Sequence, residues 1–376
     1  MKFSVPKVSL LEALNVTGKC IGGGIILPAL GCYKFNISND RLDITGGNME
    51  VFITQSIEIT GGDFETMLLV PATRILGWVK ELPNVPIEFA IEERMEETLT
   101  IRSIRISAGN SKCLIPCESG EDYPMSPMAN DLLIEVESAS LILGIDKTLF
   151  ACGKDELRPS LTGVNISVSE MQITFNGSDS HILATKTVDT NQAANHEIDL
   201  VVPANTMSIV KSTPCDDTVG IKVSKNAVVF QLNESTVLRS SLIAAKYLDI
   251  KSFIPESGSI ASFEVSTLIG AVKRTIHFTG PGYPVLVLNF SDGELKIQVA
   301  NDASEAATET VPVDYVGSPV RIGLNGINLL KCLNKIDGYT AKLNLNGPRN
   351  PVMLYEDDIN PEGKKNLMMI MPLFLN

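Results

Sequence analysis

The chain has 376 residues, 44% of them hydrophobic and 20% charged, with a formal net charge of −13. This length predicts two or three domains with ample core, and the acidity argues against a uniformly basic nucleic-acid coat, though not against charge segregated by face. No run reaches the ~18 apolar residues of a membrane span, and Met1-Lys2-Phe3-Ser4-Val5-Pro6 holds no apolar signal core, so a cytoplasmic protein is expected.

The elements recur along the chain. In the first third, Leu27-Pro28-Ala29-Leu30-Gly31 precedes Tyr33 and Phe35. The alternation of Leu42 and Ile44 predicts an antiparallel strand with one face buried. Leu69-Val70-Pro71-Ala72-Thr73 then closes a strand and opens a helix, with proline suited to its first turn. That helix points Ile75, Leu76, Val79 and Leu82 inward, and Arg74 and Lys80 outward. Glu92, Glu93, Glu96 and Glu97 read as a solvated hairpin. An acidic, proline-bearing joint follows at 118–127.

The second third opens with a helix that sets Ile142, Ile145 and Leu149 inward and Lys147 outward, with Lys154 just beyond. Leu157-Arg158-Pro159-Ser160-Leu161-Thr162-Gly163, then Val164, Ile166 and Met171-Gln172-Ile173-Thr174, repeat the first landmark. Val201-Val202-Pro203-Ala204-Asn205 repeats the second. Pro28 and Pro159 are 131 residues apart, and Pro71 and Pro203 are 132 apart. Beyond a second joint at 252–259, Val265, Leu268, Ile269, Val272 and Ile276 share a helix face, and Lys273, Arg274 and His277 lie off it. Tyr283-Pro284-Val285-Leu286, Leu288, Phe290 and the alternating Leu295, Ile297 and Val299 echo the first landmark again. Ile322-Gly323-Leu324-Asn325 stands where Val-Pro-Ala stood. Its helix buries Ile327, Leu330 and Leu333, with Asn328, Lys331 and Lys335 on another face. A period near 130 residues therefore predicts three similar domains, bounded at 1–125, 126–253 and 254–376.

Catalytic chemistry is not advertised. The seven cysteines form no Cys-x-x-Cys pair, so reduced and mostly buried thiols are expected, with no metal and no cofactor. His181, His196 and His277 have no metal-ligand spacing. Gly22-Gly23-Gly24 lacks the Gly-Lys-Ser/Thr of a phosphate loop and reads as a turn. No nucleophile, base and oxyanion site assembles, which leaves a β-rich enzyme with an unrecognised site as a remote alternative.

Met1-Lys2-Phe3, Leu10-Leu11, Gly22-Gly23 and Leu27-Pro28-Ala29-Leu30 resemble the opening of the bacterial DNA polymerase III beta subunit, the sliding clamp. Leu295-Lys296-Ile297, Ala300-Asn301, Glu305, Glu309, Ile322-Gly323 and Leu329-Leu330 resemble that family's third domain. Met369-Ile370-Met371-Pro372-Leu373 resembles its C-terminal signature. The resemblance covers essentially the whole chain, and it rests on order, spacing and triple repeat together. It implies an α+β fold of three clamp domains, each with two helices packed on antiparallel sheets. Two chains would close head to tail as a homodimer ring around double-stranded DNA, independent of sequence. The implied role is processivity: tethering the DNA polymerase III catalytic subunit, and engaging the clamp loader, through linear clamp-binding motifs.

The resemblance further implies three surfaces. Arg74, Lys80, Lys147, Lys154, Lys211, Lys273, Arg274, Lys331 and Lys335 would face DNA. Arg158, Leu161, Thr185, Val188, Leu248, Phe253, Met369, Ile370, Met371, Pro372 and Leu373 would form a partner cleft, where apolar anchors meet adaptable methionines. The alternative for 367–375 is a plain core strand; its methionines and internal proline favour a binding edge. His277 and Phe278 would lie at the dimer contact. Several positions depart from the family. Gly24, Asn205 and Thr206 stand where basic residues are common. Leu183-Ala184-Thr185-Lys186-Thr187-Val188-Asp189-Thr190 lacks the usual Gly-His-Arg, and Leu248 and Ser252 replace proline and arginine. These departures motivate a second reading, a clamp paralogue with altered partners.

Overall fold

Strands form wherever apolar and polar residues alternate: Cys32–Ser38 and Val285–Ser291 each bury every second residue, as a sheet with one face on a core requires. The computed structural model describes residues 1–22, 27–96, 99–254, 258–280, 284–300, 306–356 and 366–375. Gly23, Gly24, Glu97, Tyr283, Asn301 and Glu305, and the side chains of Glu96 and Ala300, lie outside the described residues. Six helices occur among those described: α1 (Lys7–Gly18), α2 (Ala72–Glu81), α3 (Ser138–Leu149), α4 (Ala204–Ser212), α5 (Val265–Ile276) and α6 (Gly326–Leu333). None is long and apolar enough to cross a membrane.

Pro71 is the final strand residue and the cap of α2, one place ahead of the first turn. In the third repeat Asn325 does this work differently, its side chain accepting from the backbone N–H groups of Ile327 and Asn328.

The chain divides into two compact units. The first comprises Met1–Ala139, Gln192–Asn195 and Ser208–Leu242. Its twelve-stranded sheet is antiparallel throughout, and Val51–Glu58 pairs with Thr236–Ser241 within it. Its main core gathers Leu10, Leu14, Phe35, Ile44, Ile75 and Val79 among others. The second unit comprises Ser140–Asn191, His196–Met207 and Ile243–Asn376. It holds a nine-stranded sheet, in which Ile182–Asp189 pairs with Asn366–Ile370, and a separate four-stranded sheet.

The repeat extends into the packing. In α1, α3 and α5 a fully buried threonine donates back to the carbonyl four residues earlier: Thr17 to Ala13 (2.6 Å), Thr148 to Gly144 (2.7 Å) and Thr275 to Ala271 (2.9 Å). Gly46 and Gly177 lie directly against the Thr17 and Thr148 carbonyls, where a Cβ would collide with backbone. Glycine is needed there for close approach of strand and helix.

Two helix faces differ from the periodicity reading. α3 turns Leu141, Gly144, Ile145 and Thr148 to the core, and Ile142 and Leu149 are half-buried. This rotation carries Lys147 inward. α6 buries Leu329, Cys332 and Leu333, a stripe that excludes Ile327, which is 48% exposed. Glu92 and Glu93 do lie on a hairpin, paired across strands with Arg105 (2.7 Å) and Arg102 (3.0 Å).

Candidate partner cleft and basic helix faces

The outward face of the nine-stranded sheet carries two apolar clusters. Leu161, Val201 and Tyr247 form one, with Ile243, Leu248 and Ile250 packed against it. Leu183, Met353, Leu367 and Met369 form the other, backed by Ile250, Ile254, Tyr355 and Met371. Ile250 touches both, so the segment from Ile243 to Ile254 lies along the pair. This segment ends in a single 3-10 turn, Ile250–Phe253.

Strand parity decides which expected cleft residues belong. Successive side chains on a strand point to opposite faces. Leu367 and Met369 face the clusters, whereas Met368 and Ile370 pack in the core on the other side. Ile370 is fully buried there and is removed from the cleft. Thr185 shares Leu183's face, so Val188, at odd separation from both, is turned away from it. Asn366–Ile370 is an interior strand, paired on both sides, rather than an edge. One face of this segment is therefore core, and the other carries an apolar cluster. Met371 continues the pairing through its N–H to the His181 carbonyl (2.8 Å), and Leu373 donates to Gly323 O (2.8 Å). Pro372 and Leu373 are half-buried, and Phe253 is 46% exposed. Arg158 is exposed and donates to Ser180 Oγ (2.5 Å).

Periodicity had no means to find Val201, Ile243, Tyr247, Ile250, Met353 or Tyr355, because they come from separate strands and a loop. Burial pushes the Tyr247 phenol well above its ordinary value, with smaller contributions from Cys152 and Asp199. Its hydroxyl has no hydrogen-bond partner among the described residues.

A polar row lies between the clusters. The register places Val201, Asn165, Asn176, Thr185 and Leu367 side by side on five adjacent strands. The three polar members are buried and linked: Thr185 Oγ1 to Asn176 Oδ1 (2.6 Å), Asn176 Nδ2 to Asn165 Oδ1 (2.8 Å), and Asn165 Nδ2 to Asp199 Oδ1 (2.5 Å) and Leu200 O (3.1 Å).

The basic residues are unevenly disposed. Arg74, Lys80, Lys154, Lys273 and Lys331 are exposed, with no ion-pair partner among the described residues. Lys211 is exposed near the end of α4. Arg274, also exposed, is held by both oxygens of Glu309 (2.7 and 2.8 Å), which keeps that carboxyl below its ordinary range. Lys335 bonds Asp146 (2.7 Å). Lys147 does not face solvent: it is 3% exposed and held by Asp337 (2.6 Å), Glu356 (3.1 Å) and the Lys335 carbonyl (2.5 Å). Three acceptors offset the desolvation of its ammonium, and none of its donors is left for a phosphate. His277 and Phe278 follow the end of α5, both exposed.

Comparison with known proteins agrees in all three parts of the chain. Residues 1–127, 135–249 and 251–372 match the N-terminal, central and C-terminal domains of the DNA polymerase III beta subunit. The beta sliding clamp of Pseudomonas aeruginosa is 25% identical over 362 residues, spanning 95% of this chain and 96% of that protein. That of Streptococcus pneumoniae is 24% identical over 373 residues, spanning 96% of each. In three dimensions the P. aeruginosa beta subunit superposes over the full length of both chains with a TM-score of 0.91 at 24% identity. The Bacillus subtilis sliding clamp does so with a TM-score of 0.91 at 21% identity. The P. aeruginosa clamp has also been solved bound to griselimycin. With its three repeats matched in order, the chain belongs to the DNA polymerase III beta subunit family, the bacterial sliding clamps.

Proposed function

We propose that this chain works as a processivity clamp in the cytoplasm. Two copies close head to tail around duplex DNA, and the cleft beside Ile250 captures linear motifs of the polymerase III catalytic subunit and the clamp loader. The paired apolar clusters are the observation that carries this reading, because an extended peptide with two apolar anchors needs two neighbouring apolar recesses. Arg158, Leu161, Thr185, Leu248, Phe253, Met369, Met371, Pro372 and Leu373 serve the cleft. Arg74, Lys80, Lys154, Lys211, Lys273, Arg274, Lys331 and Lys335 serve DNA, and His277 and Phe278 the dimer contact. The working domains are 1–125, 126–253 and 254–376, and none performs chemistry. A ring holds DNA topologically, so a −13 chain needs only a modestly basic inner face.

Light scattering and polarisation of a fluorescent clamp-binding peptide test this together. A dimer that binds the peptide, and loses it when Leu161→Ala is combined with Met371→Ala, supports the clamp. Combined charge reversal at Arg74, Lys154, Lys273 and Lys331 should impair DNA retention without unfolding; unchanged retention would sink the basic-face assignment. Thr187-Val188-Asp189, where the family has Gly-His-Arg, favours one second reading, a paralogue with its own partners. A dimer blind to the usual peptide would select it.

A further inference from the structure

The buried polar row can be followed proton by proton. Asn165 meets two groups that only accept, the Asp199 carboxylate and the Leu200 carbonyl. Its amide must present Nδ2 to them and turn Oδ1 toward Asn176. Asn176 must then give Nδ2 to Asn165, which leaves Oδ1 facing Thr185. Thr185 must therefore donate its only hydroxyl proton to Asn176. What remains on Thr185 Oγ1 is lone pairs, and no donor among the described residues reaches them.

The first repeat shows how this position is otherwise served. Its corresponding row is Leu69, Lys34, Thr45, Thr54 and Val237, in the same register. There the Thr45 and Thr54 hydroxyls share one hydrogen bond (2.9 Å), and Arg239 Nη1 donates to Thr54 Oγ1 (3.4 Å). Arg239 lies two residues beyond Val237, as Met369 lies two beyond Leu367. In the second repeat a methionine thus replaces the donor, and the threonine's acceptor is left without one among the described residues, beside Leu367.

We propose that Thr185 is a specificity-determining residue of the cleft. It selects extended peptides that bring an N–H or O–H donor between two aliphatic anchors, and it discriminates against peptides that are apolar or acceptor-only there. Asn176, Asn165 and Asp199 are positioning residues that fix the sense of the hydroxyl. This inference rests on the cleft reading given above and adds the chemistry of the residue between the anchors.

The test uses the full chain and two fluorescein-labelled peptides with the same pair of leucine anchors. They carry threonine or its near-isostere valine at the intervening position. The wild type is expected to favour the threonine peptide about fivefold, the factor one net hydrogen bond contributes. Thr185→Ser should keep that ratio, and Thr185→Val should bring it to about one, whatever the absolute affinities. Equal binding of both peptides by the wild type would overturn the inference and leave the cleft standing. A ratio that survives Thr185→Val would overturn the assignment to Thr185. Binding of neither peptide would overturn the cleft reading and this inference with it.

Discussion

The two long sheets carry equivalent outward apolar clusters, built around an aromatic ring in one and an aliphatic side chain in the other. In the first unit Leu30, Phe52, Leu69 and Tyr123 make one cluster, and Phe52 meets Tyr123 edge-on with ring centroids 6.1 Å apart. In the second unit Leu161, Val201 and Tyr247 correspond to Leu30, Leu69 and Tyr123, but the counterpart of Phe52 is Leu183. The first groove is thus occupied by the chain's own aromatic ring, and its rim carries Arg239 and Lys34, whose ammonium lies 6.0 Å from the Tyr123 ring centre. The second has a smaller side chain and a methionine rim. On the proposed reading, a repeated frame gains a binding site at one copy by replacing an aromatic side chain with a smaller one, with no change of topology.

The helix side of each pairing differs in the opposite sense. Lys147 and its acceptors tie α3 to the end of α6 and to Val352–Glu356, within the second unit. The equivalent α1 position is the buried Val16. Lys147→Met should therefore cost about 3 kcal/mol, since it leaves Glu356 without its partner cation. Urea denaturation reads this directly, and an unchanged midpoint would mean water satisfies the carboxylates. Leu183→Phe rebuilds the first groove's plug in the second, and peptide affinity should fall roughly tenfold by overpacking. Retained affinity would show that the peptide does not lie over Leu183.

Two thiols sharpen the comparison with a smaller effect. Cys20 follows α1 and Cys152 follows α3, at positions that the repeat matches to Ala151 and Ile21, and burial pushes both thiols up to about 12 from an ordinary 9.0. Their folded values lie above the unfolded ones, so their contribution is intact below pH 9 and is lost as pH climbs toward 12. About 1 kcal/mol each should be gone at pH 10. Thermal unfolding from pH 8 to 11 should show similar flattening for Cys20→Ala and Cys152→Ala; unequal slopes would mean that burial holds the two thiols unequally. Smallest of all, the Tyr247 hydroxyl is buried without a partner among the described residues. Tyr247→Phe should leave stability unchanged or raise it by under ~1 kcal/mol. A loss would reveal an ordered water on that hydroxyl.

The residue pattern by itself determined the threefold repeat, the alternating strands, most helix faces and the absence of a metal or nucleophile motif. These follow from local periodicity and spacing, which the chain displays directly. Leu161, Met369 and Met371, proposed for the cleft, could be named because a family signature carries them. Tertiary structure decided the rest. Lys147 could be judged buried only once Asp337, Glu356 and the Lys335 carbonyl were brought to it from far along the chain. Ile370 and Met369 are adjacent and chemically alike, and only sheet pairing says which faces the core. The polar row joins Thr185, Asn176, Asn165 and Asp199 from four strands, and its proton order depends on acceptors that no local pattern brings together. Local sequence fixes which faces exist; long-range register fixes what meets on them, because a one-residue slip reverses every side chain.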